Sequence, residues 1–140
     1  MDIGVNYQRT EYLSILYDAV PVISIHRKSG TLPLERPSCG FFTKVLLNIF
    51  GSVAFFFKKR QVGSCEFNFK DTTISRKSKS GDVTFELSKI NYILELSTSF
   101  LIDVGKGAMP VPYRCFNKEQ KHAFKTMYKE KIHSFESNET

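Results

Sequence analysis

Basic residues cluster at two places in the sequence after residue 57. The first group is Lys58, Lys59 and Arg60, and the second group is Arg76, Lys77 and Lys79. Lysine and arginine clusters attract anionic partners such as lipid headgroups or nucleic acid. These six residues are therefore the candidate contacts for an anionic headgroup or another partner. A solvated, charged turn is the alternative interpretation of the second group.

The net charge of the chain agrees with an anionic partner. The full sequence carries +6: residues 1–57 contribute +1 (five Lys/Arg against four Asp/Glu), and residues 58–140 contribute +5 (fifteen against ten). A basic second part suits lipid headgroups or nucleic acid. The excess is too small to decide between these two partners.

Residues able to catalyse reactions or bind metals are scattered without a recognisable pattern. His122 and His133 are eleven positions apart and have no acidic or cysteine residue at ligand spacing, and His26 is remote in sequence. Cys115 follows Arg114 near the start of a predicted helix, where a thiolate would be stabilised, but a buried thiol is the favoured interpretation. No GxSxG, Walker A, HExxH or Rossmann motif occurs. The sequence predicts no catalytic residues, no metal site and no cofactor.

Two further features have ordinary structural interpretations. Cys39, Cys65 and Cys115 are odd in number and lack CxxC spacing, and no secretory signal is present, which indicates reduced cysteines. The GKGA sequence at 105–108 is similar to a phosphate-binding loop but lacks the following Lys-Ser/Thr and a helix. It is predicted to be a turn between strands.

The N-terminal part predicts a strand, a helix and a second strand. Ile3 to Tyr7 alternates apolar and polar residues, as in a short strand. A helix with one apolar face follows Thr10, its predicted N-cap, and is expected to end at Pro21. Val22 to His26 fits a strand, and a connection rich in glycine and proline follows it.

The stretch from Phe41 to Phe57 is the most apolar part of the chain. Its 17 residues are near the lower limit for a membrane-spanning helix, and Asn48 and Gly51 lie near its middle. The basic group at 58–60 would place the following residues on the cytoplasmic side if the segment spans. A spanning helix, a helix lying in the membrane surface and a soluble core element all remain open.

From Val62 onward the apolar residues alternate with polar ones, which predicts a series of strands. The predicted strands lie at 65–69, 72–74, 83–87, 92–96, 100–104 and 109–113. Ser80-Gly81 predicts a hairpin, and Pro110 and Pro112 place the last strand at an edge. A helix capped by Asn117 and Gln120 is expected to continue to Phe135, with Lys118, Lys121, Lys125 and Lys129 outside its apolar stripe.

These elements predict an α+β fold. We expect a small antiparallel β-barrel or sheet of five or six strands, capped by a C-terminal helix and preceded by an N-terminal strand-helix segment. The predicted organisation is an N-terminal segment and linker at 1–38, an apolar segment with its basic flank at 39–60, a β domain with helix at 61–135 and a disordered tail at 136–140.

Residues 62–131 resemble the C-terminal domain of the YcxB-like family of bacterial proteins. The resemblance depends on Phe67, Phe69, Asp71, Ile74 and Gly81 in the hairpin, on FELSKI at 85–90, on MPVPYRCF at 109–116, and on NKEQ at 117–120 followed by Phe124. It implies a small barrel-like domain similar to pleckstrin-homology domains and supplies no catalytic residues. Two membrane helices usually precede the domain in this family. Here only Phe41 to Phe57 is sufficiently apolar, so the usual membrane hairpin is missing.

The predicted function is non-enzymatic: a binding or scaffold module at the cytoplasmic face of the membrane. Phe41–Phe57 would anchor the chain, and the six basic residues would bind anionic headgroups. The alternative is a soluble cytoplasmic module that binds a protein, such as a toxin-immunity protein. Nucleic-acid binding is disfavoured because the strand aromatics alternate onto the presumed core face. The sequence does not fix the oligomeric state.

Overall fold

Two four-stranded sheets organise the chain in the computed structural model, which describes residues 1–34, 48, 64–79, 81–105 and 108–135. Sheet A has the strand order β1-β2-β3-β4, and sheet B has the order β7-β6-β5-β8. The strands are β1 (Asp2–Val5), β2 (Cys65–Phe69), β3 (Thr73–Ser78), β4 (Gly81–Glu86), β5 (Tyr92–Glu95), β6 (Ser99–Asp103), β7 (Ala108–Pro112) and β8 (Ile132–Ser134), and the helices are α1 (Arg9–Ser29) and α2 (Lys118–Met127).

Helix α1 is longer than the sequence predicts. It begins after Gln8, which forms a capping box with Glu11, and it continues through Pro21 to a left-handed Gly30 with φ 77°. The predicted N-cap at Thr10, the predicted end at Pro21 and the predicted strand at 22–26 are therefore wrong. An interior proline costs a helix about 3 kcal/mol. The apolar face of α1 compensates for this cost by packing on sheet B, where Val22 is fully buried.

Sheet A follows the predicted alternation closely. Its first strand, β1, pairs antiparallel with β2 and places Ile3 opposite Phe67. Strands β3 and β4 form the predicted hairpin, closed by the Ser78↔Gly81 pair, and Gly81 has a φ of 125° that favours glycine. Apolar residues of this sheet point to the core, and most polar residues point outward, with Arg76 as an exception.

Sheet B is buried on both faces. Ile93, Phe100 and Ile102 contribute to the main core, while Leu94 and Leu101, one residue further along their strands, pack in a second cluster with α1. The strands β5 and β6 therefore read as continuous apolar runs and not as an alternating pattern. Strand β7 lies at one edge of the sheet, as its prolines predicted.

The C-terminal segment departs from the predicted long helix. Helix α2 ends at Met127, and after a turn the chain adds β8 parallel to β5, with Ile132 opposite Ile93. The predicted continuation of the helix to Phe135 is wrong. The hydroxyl of Tyr128 donates to Lys70 O at 2.7 Å, which holds the chain at the point where it leaves the helix.

The predicted α+β class is confirmed, but the described strands form two separate sheets and no closed barrel. The main core lies between sheet A, one face of sheet B and α2, and the second cluster lies between the other face of sheet B and α1. The N-terminal strand and helix are thus part of the same packed unit as the later strands. The four predicted segments, 1–38, 39–60, 61–135 and 136–140, remain a prediction.

Replacement of Phe124 tests the packing of α2. Its ring is fully buried, with centroids 4.5 Å from Phe100 and 5.0 Å from Phe69. We expect Phe124→Ala to lower the free energy of unfolding by about 3–5 kcal/mol, because it removes ring contacts and leaves a cavity. Urea denaturation measures the change. His122→Ala, at an exposed position of the same helix, is the control and should stay within about 0.5 kcal/mol of the parent chain; a similar loss in both variants would contradict the assignment.

Candidate functional site

The predicted basic hairpin separates its charges onto two faces of sheet A. Successive residues of a strand point to opposite sides. Arg76 therefore shares the core face with Ile74, which is fully buried, and Lys77 points outward and is exposed. Lys79 is exposed in the turn between β3 and β4. The structure brings Lys77 and Lys79 together on the surface and directs Arg76 away from them.

Arg76 lies among interior groups. It is opposite Phe67 and Val83 in the sheet register, and its Nε is buried without a hydrogen-bond partner in the described part of the chain. Burial raises the pKa of the Cys65 thiol, and the positive charge of Arg76 opposes that rise. Burial also raises the pKa of Tyr7, whose hydroxyl donates to the Pro110 carbonyl at 2.6 Å. The environment of Arg76 is thus the sheet interior.

Lys77 lies between two carboxylates. The register places Glu66 of β2 on one side of it and Asp82 of β4 on the other. Opposite charges in adjacent strands attract each other by roughly 0.2–1 kcal/mol per pair. From Cys65 to Glu86, four basic residues face four acidic ones, so the net charge of this meander is zero. The hairpin therefore offers little net attraction to an anion.

The other predicted contacts lie outside the described residues. Lys58, Lys59 and Arg60 fall there, and so does the apolar segment 41–57 apart from Asn48, whose side-chain amide donates to the Tyr17 hydroxyl at 3.2 Å. Across the described ranges, the helices are too short or too polar to cross a membrane.

Helix α2 presents the clearest basic surface in the described residues. Lys118, Lys121 and Lys125 recur at steps of three and four, and Lys129 follows in the next turn. At 100° per residue, Lys118, Lys121 and Lys125 fall on one stripe of the helix surface, and Lys129 lies in the turn that follows Met127. The stretch from Lys118 to Lys131 contains five lysines and two glutamates, a net charge of +3. We call Lys118, Lys121, Lys125 and Lys129 the α2 lysine stripe.

The aromatic core fixes the rotation of α2. Phe124 is fully buried, and its ring centroid lies 5.4 Å from Phe116 and 4.9 Å from Tyr128. The start of the helix is fixed by a reciprocal capping box: Gln120 N donates to Asn117 Oδ1 at 2.7 Å, and Asn117 N donates to Gln120 Oε1 at 2.9 Å. With the apolar face held in the core, the α2 lysine stripe is directed to the surface.

Two lysines of the stripe contact side chains in sheet B or directly after one of its strands. Lys125 Nζ lies 3.1 Å from Glu95 Oε1, and Lys121 Nζ lies 3.9 Å from the ring centroid of Tyr113. Lys118 and Lys129 are exposed, and within the described ranges neither has an acidic partner. At least these two charges are available to an external anion. The three- and four-residue steps between the lysines of the stripe are present in the sequence, but that spacing predicts only that they lie outside the apolar face of the helix.

The histidines occupy separate places. The His26 ring lies edge-on to Tyr92, with centroids 5.3 Å apart, and His133 Nε2 is 2.7 Å from Pro33 O. His122 is exposed on α2. The described residues contain no group of three or more His, Cys, Asp or Glu side chains arranged to hold a metal ion.

Cys115 has the environment expected for a protonated thiol. It lies beside Arg114, which forms an ion pair with Glu11 and also donates to Asn6 O. Burial raises the pKa of the Cys115 thiol above its ordinary value, and the positive charge of Arg114 opposes that rise. The desolvation of the half-buried thiol is the larger effect. The geometry agrees with the interpretation of Cys115 as a packed, unreactive side chain.

Comparison with known proteins finds a family model that matches part of the chain. Residues 69–127 match the family model described as YcxB-like protein, which confirms the resemblance over this region. The match begins at the last residue of β2 and ends at the last residue of α2, so it includes the hairpin, most of sheet B and the α2 lysine stripe except Lys129. No curated protein and no solved structure matches the chain.

The pH dependence of alkylation tests the environment of Cys115. Iodoacetamide reacts with the thiolate, so its rate follows the fraction of thiol that is deprotonated. Because the pKa of Cys115 is raised, we expect its alkylation rate in the folded chain to level off at a higher pH than that of a thiol with the ordinary pKa of 9.0. Mass spectrometry of the peptide that contains Cys115 measures the rate. The urea-unfolded chain is the control and should level off at lower pH; a folded profile that levels off first would contradict the assignment.

Proposed function

We propose that this chain, with its YcxB-like region at 69–127, is a non-enzymatic binding module that attaches to the anionic cytoplasmic face of a membrane. The observation that carries the proposal is the α2 lysine stripe, a row of cations on α2 and the turn after it, in a helix whose Phe124 is fixed in the core. Rigid presentation matters, because the backbone that carries the charges does not have to be ordered when they meet the surface.

The charge distribution favours α2 over the β3–β4 hairpin as the lipid-binding surface. The meander from Cys65 to Glu86 has no net charge, whereas the stretch from Lys118 to Lys131 carries +3. A lysine near an anionic membrane surface contributes about 1 kcal/mol. The four lysines of the stripe would therefore contribute roughly 4 kcal/mol at most, and Lys125 contributes less than its share because it is paired with Glu95.

An attraction of this size gives weak, reversible attachment by itself. Stable anchoring to a membrane generally needs two signals acting together. We propose Phe41–Phe57 and the adjacent Lys58, Lys59 and Arg60 as the second signal, since they combine apolar and basic residues. The α2 lysine stripe would then orient the folded part of the chain against the surface.

The finer fold assignment belongs to the same proposal. We propose that sheets A and B with α2 form an open, pleckstrin-homology-like arrangement in which α2 is the cap. Its support is the contact of Phe124 with Phe69 of sheet A and Phe100 of sheet B, which joins the helix to both sheets. The resemblance of this region to the YcxB-like family agrees with that arrangement.

Charge reversal on α2 tests the membrane proposal. We expect Lys118→Glu with Lys129→Glu to weaken binding to vesicles of phosphatidylglycerol and phosphatidylcholine by about thirtyfold or more, because two contributions of about 1 kcal/mol are lost and replaced by repulsion. Co-sedimentation of the full chain with the vesicles measures binding. Binding of the parent chain should weaken as salt rises.

The matched control is Lys77→Glu with Lys79→Glu, which makes the same charge change on the hairpin. We expect this control to retain most of the binding, because Lys77 is already flanked by Glu66 and Asp82. Equal losses in the two double variants would contradict the assignment to α2. Absence of binding to anionic vesicles, or tighter binding to a short DNA duplex than to vesicles, would contradict the membrane proposal itself.

A further inference from the structure

Strand β4 forms an edge of sheet A. It pairs with β3 on one side, and on its other side no strand lies beside it within the described ranges of the chain. An open strand edge presents backbone donors and acceptors that another extended chain can pair with. This edge is separate from the α2 lysine stripe, so what it binds is a question beyond the proposed function.

The ladder between β3 and β4 shows which backbone groups face outward. Leu87 N donates to Thr72 O at 2.8 Å, directly after the register pair Thr73↔Glu86. In an antiparallel pair, alternate residues direct their N–H and C=O groups to the partner strand. The backbone groups of Asp82, Thr84 and Glu86 therefore point away from β3.

The side chains of β4 form two rows along this edge. Asp82, Thr84 and Glu86 are exposed on the outer face, and Val83 and Phe85 are half-buried on the core face. An open groove of about 360 Å³ lies at the end of the strand, lined by Thr72, Thr73, Glu86, Leu87 and Ser88. An added strand would meet two carboxylates on one face, apolar side chains on the other, and the groove at its end.

Charge excludes a second copy of β4 as a favourable partner. An antiparallel pair centred on Thr84 would place Asp82 of each copy opposite Glu86 of the other. Like charges directly opposite each other destabilise a strand pair. The same two carboxylates favour a strand with basic residues at the matching positions, which are four residues apart on one face.

We propose that the β4 edge binds an extended segment of another protein in which two Lys or Arg residues, four positions apart, face Asp82 and Glu86. Apolar residues between them pack beside Val83 and Phe85. The segment becomes a fifth strand of sheet A, held by backbone hydrogen bonds to Asp82, Thr84 and Glu86. Main-chain pairing supplies affinity, and the two carboxylates supply selectivity.

A probe peptide with the core lysine, valine, threonine, valine, lysine tests the pairing. Titration of the full chain, followed by amide NMR, should show saturable binding and slower hydrogen exchange at Thr84. N-methylation of the central threonine should weaken binding about tenfold, because its amide would pair with the backbone of Thr84. N-methylation of the first valine is the matched control and should change binding less than about twofold, because that amide faces away from β4.

Variants of the protein test the same contacts from the other side. Thr84→Pro removes a backbone N–H that points away from β3, so circular dichroism should show a retained fold while peptide binding falls about tenfold. Its side-chain contact with Ser75 is also lost, so Thr84→Val is the control and should bind like the parent chain. Asp82→Lys with Glu86→Lys should reverse the preference toward a peptide with glutamates in place of its lysines.

Several results would overturn the proposal. They are a lack of binding at about 1 mM peptide, equal effects of the two N-methyl groups, and equal binding by the lysine and glutamate peptides. Peptide binding that appears only in a variant with Lys58→Ser, Lys59→Ser and Arg60→Ser would also overturn the proposal. In that case the chain's own basic segment would be the occupant of the β4 edge. Saturable binding that Thr84→Pro weakens and Thr84→Val retains would support it.

Discussion

The burial of sheet B on both faces is the constraint on which the rest of the structure depends. Ile93 and Phe100 face the main core, while Leu94 and Leu101 face the opposite side. A sheet with two apolar faces requires a cover on each. Sheet A and α2 cover one face, and α1 covers the other. The N-terminal helix, which is far from these strands in sequence, is therefore an integral layer of the fold.

The same aromatic core determines where the charges lie. Phe124 contacts rings from both sheets, and the helix that carries it begins at a reciprocal capping box between Asn117 and Gln120. With both the start and the rotation of α2 fixed, its lysines cannot turn inward. In sheet A the alternation of β3 has the opposite effect on a cation, since it directs Arg76 into the interior beside Tyr7 and Cys65. Packing, and not composition, therefore determines which charged side chains reach the surface.

Features set by local chemistry were predictable from the sequence. The hairpin at Gly81 and the helix cap at Asn117 depend on neighbouring residues, and both were predicted. The passage of α1 through Pro21 and the parallel strand β8 depend on contacts with sheet B, which local patterns do not contain. The inward direction of Arg76 follows from its two-residue spacing from Ile74, which the clustering of charges along the hairpin does not reveal. In β5 and β6, apolar residues follow one another directly in the sequence, which indicates a sheet that is covered on both faces.

The pairing of distant segments has a consequence for synthesis of the protein. Helix α1 ends at Ser29, but the strand that buries its apolar face begins only at Tyr92. Strand β1 likewise has no partner strand until β2, which begins at Cys65, has been synthesised. At ordinary translation rates this separation amounts to a delay on the order of seconds. During that interval the nascent chain exposes an apolar helix face and an unpaired strand beside the ribosome. Early aggregation or chaperone capture is therefore a hazard during synthesis of this chain, and slower elongation between the two segments would increase it.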